Sequence, residues 1–96
     1  MKLISVEPIQ DGTHKYKAVF DVDGRKKTTK FGAIGYSDYT QPPHDKEMRE
    51  RYRTRHLKDL RTNDPSRAGF LSMFLLWGDS KKISKNLKEF VSRFDL

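Results

Sequence analysis

The sequence predicts an α+β fold, a three-stranded antiparallel β-meander followed by three helices packed on one face of the sheet. Three observations carry that prediction. Apolar residues alternate with period two only before residue 32, an Asp-Gly pair separates two such runs, and helical-period stripes appear only after residue 44. Strands first and helices afterwards, with no internal repeat, is the order of an α+β domain rather than of a parallel sheet. A chain of 96 residues holds one core, so residues 1–96 form a single domain. Its parts are a meander over 1–31, an ordered connector over 32–43 and a helical part over 44–96.

Residues 3–9, LISVEPI, are β-branched and apolar without helical period, and Pro8 places this strand at an edge or close to its end. Residues 15–22, KYKAVFDV, put Tyr16, Ala18, Phe20 and Val22 on one face and Lys15, Lys17, Val19 and Asp21 on the other. Asp23-Gly24 is a preferred two-residue hairpin turn, because both of its central positions need positive φ. The register follows: Val22 faces Arg25, Phe20 Lys27, Ala18 Thr29 and Tyr16 Phe31, while Asp21 meets Lys26, Val19 Thr28 and Lys17 Lys30. The lysine pair at the end reads as two solvated side chains or as two arms around an anion.

The connector's prolines, Pro42-Pro43, bar a helix until the second has passed, and its two tyrosines suit a packed segment, so at least one of Tyr36 and Tyr39 is expected to pack. From Asp45 to about Leu60 the pattern is helical, with acids at the start and Met48, Tyr52, His56, Leu57 and Leu60 along one side. Asp64 as N-cap, Pro65 at the first helical position and Gly78 as the stop predict a second helix over 65–77. Its centre is apolar nearly all round, so it is either the core or covered by a partner. The third helix, from about Ser80 to Phe94, sets Ile83, Leu87, Phe90, Val91 and Phe94 against a lysine-rich face and can supply that cover.

Twenty Lys and Arg against 13 Asp and Glu give a net charge of +7. That balance suits a partner that is a polyanion, whether nucleic acid, an acidic membrane face or an acidic protein. The absence of cysteine excludes disulfides, cysteine-ligated zinc and thiol nucleophiles. No signal-peptide pattern opens the chain and no apolar run is long enough for a membrane span, so a soluble intracellular setting is expected. Asp38, His44, Asp45, Glu47 and His56 are the polar residues from which a nuclease-like metal site could be drawn. Their spacing is not that of a metal motif and acids at a helix start are usually caps, so no catalytic residue, metal or cofactor is expected. His56 reads as a packed ring with a satisfied nitrogen. The candidates for nucleic acid are Lys15, Lys17, Lys26 and Lys30 on the outer sheet face, and Arg49, Arg51, Tyr52, Arg53 and Arg55 on the first helix. The candidates for a protein interface are Tyr36, Asp38, Tyr39, Phe70 and Trp77.

KFGAIGYSDYT at 30–40, then RERYRTRH at 49–56, then NDPSRAGFLSMFLLW at 63–77 resemble, in order and spacing, an uncharacterised family of small basic proteins encoded by nucleocytoplasmic large DNA viruses of algae and amoebae. The resemblance runs from about Tyr16 to Phe94 and departs at QPPHDKE, where the His-Asp-Lys order replaces the usual His-Lys-Asp. It implies a viral origin, a location in the virion or in the host cytoplasm or nucleus during assembly, and other viral proteins as partners. The expected function is a non-enzymatic structural or accessory role, a minor capsid or virion component. The alternative is a basic, weakly sequence-selective nucleic-acid-binding or genome-packaging protein.

Overall fold

The computed structural model describes residues 1–96 and shows an antiparallel sheet followed by helices. Strands β1 (Lys2–Pro8), β2 (His14–Val22) and β3 (Arg25–Ala33) lie in the order β1-β2-β3. The β2–β3 pairing is the one the Asp-Gly turn dictates, from Val22 opposite Arg25 to Tyr16 opposite Phe31, and Asp23 and Gly24 both take positive φ. The register of β1 slips at Ile4, which stays half exposed on this edge strand. Ala18, Phe20 and Phe31 are buried on one face, against the helices.

Helix α1 (Lys46–His56) starts at Asp45, whose side chain accepts from the Glu47 and Met48 amides, and it tightens into a 3₁₀ turn at Leu57–Thr62. The tighter turn carries Leu57 out of the apolar stripe, and it stands 63% exposed while Leu60 keeps its packing.

The second helix differs from expectation at its start and in its winding. It begins at Ala68, not at Pro65: α2 (Ala68–Leu71) has Arg67 at its N-cap, and it widens into a π turn over Ser72–Leu76. The reason lies in Asp64, whose carboxylate takes the Ser66 amide and hydroxyl and so holds 64–67 as a turn. Ser66 is also fastened to β3, by Thr29 Oγ1 donating to its carbonyl and Lys27 Nζ to its hydroxyl. The helix does stop before Gly78, where only glycine fits, since a Cβ would strike the Phe74 carbonyl and the Asn86 side chain.

The α2 and π-turn segment is covered from within. Phe70, Leu71, Met73, Leu75, Leu76 and Trp77 are all buried. Helix α3 (Ile83–Arg93) lays Phe90 and the following Phe94 on Phe70 and Phe74, with ring centroids 5.1–5.9 Å apart. Its apolar face is thereby used inside the domain, and no helix is long and apolar enough to cross a membrane.

A helix end leaves carbonyls without intrahelical partners. Here four residues from three segments, the connector, α1 and α3, supply donors: Arg53 Nη1 to Met73 O and Trp77 O, Asn86 Nδ2 to Leu75 O, the Tyr39 amide to Leu76 O, and Arg49 Nε to Gly78 O. No buried side-chain nitrogen or oxygen lacks a hydrogen bond.

Candidate functional site

The connector is built around one buried carboxylate. Asp38 Oδ1 accepts from the amide and hydroxyl of Thr40, and its Oδ2 accepts from Lys15 Nζ at 2.8 Å. The same ammonium also donates to Tyr36 O at 2.5 Å and to Gln41 Oε1 at 3.1 Å. Gly32 lets Lys15 and Leu76 pack close to the backbone here: it holds φ +77°, and a Cβ there would meet Leu76 Cδ1 at 2.9 Å and Lys15 Cβ at 3.3 Å. Tyr39 is buried beyond Asp38, with the Arg49 guanidinium 5.5 Å over its ring and its carbonyl on His44 Nδ1. The bend at GYSDYT is therefore fixed by Asp38 together with Lys15 from β2 and Arg49 from α1.

Those contacts sort the predicted cations. Lys15 is only 15% exposed and leaves the outer-face set, since its charge is used by Asp38. Arg49 also leaves it, bound to Gly78 O, Glu50 and Asp79, and so does Arg53, whose burial among the helix carbonyls lowers its guanidinium pKa. On the sheet, Glu7 faces Lys17, which faces Lys30, while Lys2 faces Asp21, which faces Lys26. Lys30 further meets Asp11 at 3.3 Å, so Lys17, Lys26 and Lys30 stand in a mixed, mutually compensated lattice rather than a cationic stripe. Asp11 belongs to the β1–β2 turn, and the His14 and Thr13 amides hold its carboxyl well below the usual carboxylate range.

The interface candidates sort in the same way. Asp38, Tyr39, Phe70 and Trp77 are each buried within this chain, and only Tyr36, at 74% exposure, is free to meet another molecule. The residues considered for a metal are not brought together: Asp38 pairs with Lys15, His44 with a backbone carbonyl, Asp45 caps α1 and Glu47 reaches toward Arg51. No three His, Asp or Glu side chains are grouped to hold an ion.

The structure does gather a different set. A groove of about 770 Å³ runs between the connector and α1, lined by Gly35, Tyr36 and Asp38 on one side and Met48, Arg51, Tyr52, Arg55 and His56 on the other, with Leu76 and Trp77 inside. Three rings form a ladder within it. Trp77 stacks on Tyr52 at 4.5 Å and 11°, and Tyr52 stacks on His56 at 4.1 Å and 23°. Burial pushes the Tyr52 phenol up, an effect eased by a hydrogen bond with Ser72. His56 Nδ1 lies 3.1 Å from Asp59 Oδ2, so its nitrogen is satisfied as expected, but the ring is 38% exposed rather than packed in the core. Arg51 and Arg55 stay exposed at this groove, Arg51 with only a 3.9 Å approach to a solvated Glu47.

A match to a family described as a family of unknown function (DUF5754) covers residues 4–56, more than half of the chain. The chain belongs to that family. The matched stretch spans the sheet, the connector and α1, and holds every groove-lining residue except Ser72, Leu76 and Trp77. No curated protein and no solved structure matches the chain.

Sequence reasoning missed Asn86. It is 1% exposed, donates to Leu75 O and Ser80 O, and accepts from the Ser80 amide, so it ties α3 to the end of the π turn. Its signal was positional: three after Ile83 and four before Phe90, it sits on the α3 apolar stripe.

Proposed function

We propose that this chain is a non-enzymatic accessory protein that binds a polyanion, nucleic acid foremost, along the groove between the connector and α1. One observation supports the reading most directly. Once Lys15, Arg49 and Arg53 are assigned to internal carboxylates and carbonyls, the freest arginines of the predicted set, Arg51 and Arg55, line one groove together. Guanidiniums in solvent beside exposed aromatic surface suit phosphate contacts with little sequence selectivity. The net charge of +7 adds long-range attraction.

The test is affinity for random nucleic acid at rising salt. A polyanion site loses affinity linearly in log-log form, and each phosphate-contacting arginine removed lowers the slope by about 0.7 to 0.9. Arg51→Ala and Arg55→Ala are expected to lower it, and Lys17→Ala with Lys26→Ala to leave it nearly unchanged. The reverse pattern would move the site to the sheet, and salt-independent or absent binding would end the reading.

A second reading, a minor capsid or virion component that engages protein neighbours, is favoured by the exposed apolar pair Ile34 and Tyr36 on the connector. The resemblance to small basic proteins of large DNA viruses supports a setting in the particle. Cross-linking with mass spectrometry of purified virus tests it: recovery with a protein neighbour through Tyr36 is expected, and absence from particles would overturn it.

A further inference from the structure

We infer that the groove takes single-stranded nucleic acid, with unpaired bases stacking on Tyr36 and on the open ring of the Trp77–Tyr52–His56 ladder while Arg51 and Arg55 hold the phosphates. The inference rests on the reading of this groove as a polyanion site and adds the form of the strand.

The ladder is the main argument. Trp77 closes one end inside the domain, at 6% exposure, and His56 leaves the other end accessible in the groove. Asp59 Oδ2 on His56 Nδ1 holds that ring in the stack, so its orientation is set before any ligand arrives. Flat rings bind the faces of bases of any identity, and every base of a single strand offers such a face. A duplex encloses its base faces in its own stack, so the rings would lie unused against it. Tyr36 adds a second platform from the connector, its carbonyl anchored by Lys15 while its side chain projects freely. An acidic peptide would match the two arginines but not the rings. The volume of about 770 Å³ lies within the range of pockets that enclose small organic groups.

Fluorescence anisotropy of the whole chain with a short labelled oligothymidylate, the same length of duplex and a polyglutamate peptide tests this. The single strand is expected to bind at least about tenfold more tightly than the duplex. Tyr36→Ala removes only an exposed side chain and should weaken the single strand by roughly 5- to 100-fold while leaving duplex affinity alone. His56→Ala should do the same and His56→Phe should restore binding, with circular dichroism checking that each variant is folded. Arg51→Ala should weaken both nucleic acids. Equal affinity for strand and duplex, or no effect of the ring substitutions, would overturn this inference and leave the polyanion reading standing. Binding of polyglutamate alone would overturn it and give the groove to an acidic protein. Binding of none of the three would overturn both.

Discussion

Replacing Lys15 by methionine tests whether the connector is held by a buried ion pair. The substitution keeps most of the aliphatic stem and removes the charge. Asp38, whose side chain is 3% exposed, then loses its only cationic partner, while the Tyr36 carbonyl and Gln41 lose a donor. At 2.8 Å and an effective dielectric near 20, the attraction is about 6 kcal/mol before desolvation is subtracted. Removing one partner of such a pair typically costs 3–5 kcal/mol. Thr40 still donates twice to Asp38, which places the expected loss at the low end, about 3 kcal/mol. For a domain of this size that lowers the melting temperature by about 12 to 24 °C, measured by circular dichroism. Lys15→Met combined with Asp38→Asn removes both charges, keeps an acceptor for Thr40 and is expected to recover about half of the loss. A single variant melting within about 3 °C of the parent, or a double variant as unstable as the sum of the singles, would refute the reasoning.

Other expectations follow from the same contacts. Asn86→Leu leaves Leu75 O and both backbone groups of Ser80 without their partner, and should cost about 3 kcal/mol in denaturant unfolding. Arg53→Met, which frees two helix-end carbonyls, should cost about 1–3 kcal/mol, whereas Arg55→Met should stay within about 0.5. Because amide donors depress Asp11 in the folded chain, its contribution is complete above the ordinary carboxylate value of 3.8 and declines as pH falls below it. Asp11→Asn should therefore flatten the acid loss of stability between about pH 4 and 2, and an unchanged acid profile would count against the turn.

What could be read from the sequence was what neighbours decide. The Asp-Gly turn sets the register of β2 and β3 because two residues and a pleat are enough to do so. The α3 stripe foretold the cover over the second helix because apolar burial depends on periodicity. Start signals for that helix misled, since Asp64 and Pro65 satisfy a turn as well as a cap, and Ser66's attachment to β3 chose the turn. Arginines were least legible. Arg49, Arg51, Arg53 and Arg55 look alike on paper, but two of them reach carbonyls 20 to 29 residues away and two stay in solvent. The groove escaped notice because its third ring, Trp77, comes from beyond α1, and the stack exists only after the second helix has docked.

The carbonyl end of the second helix bears on how the chain assembles. Its partners are Tyr39, Arg49, Arg53 and Asn86, contributed from both sides in sequence, so this segment has little reason to stay ordered before they arrive. The hairpin, with only local closure to make, is then the natural early event, and consolidation waits for distant parts to converge. A fragment ending at His56 would carry the sheet and connector but few of the large side chains at the centre, and should remain an unfolded chain however well its strands pair on paper.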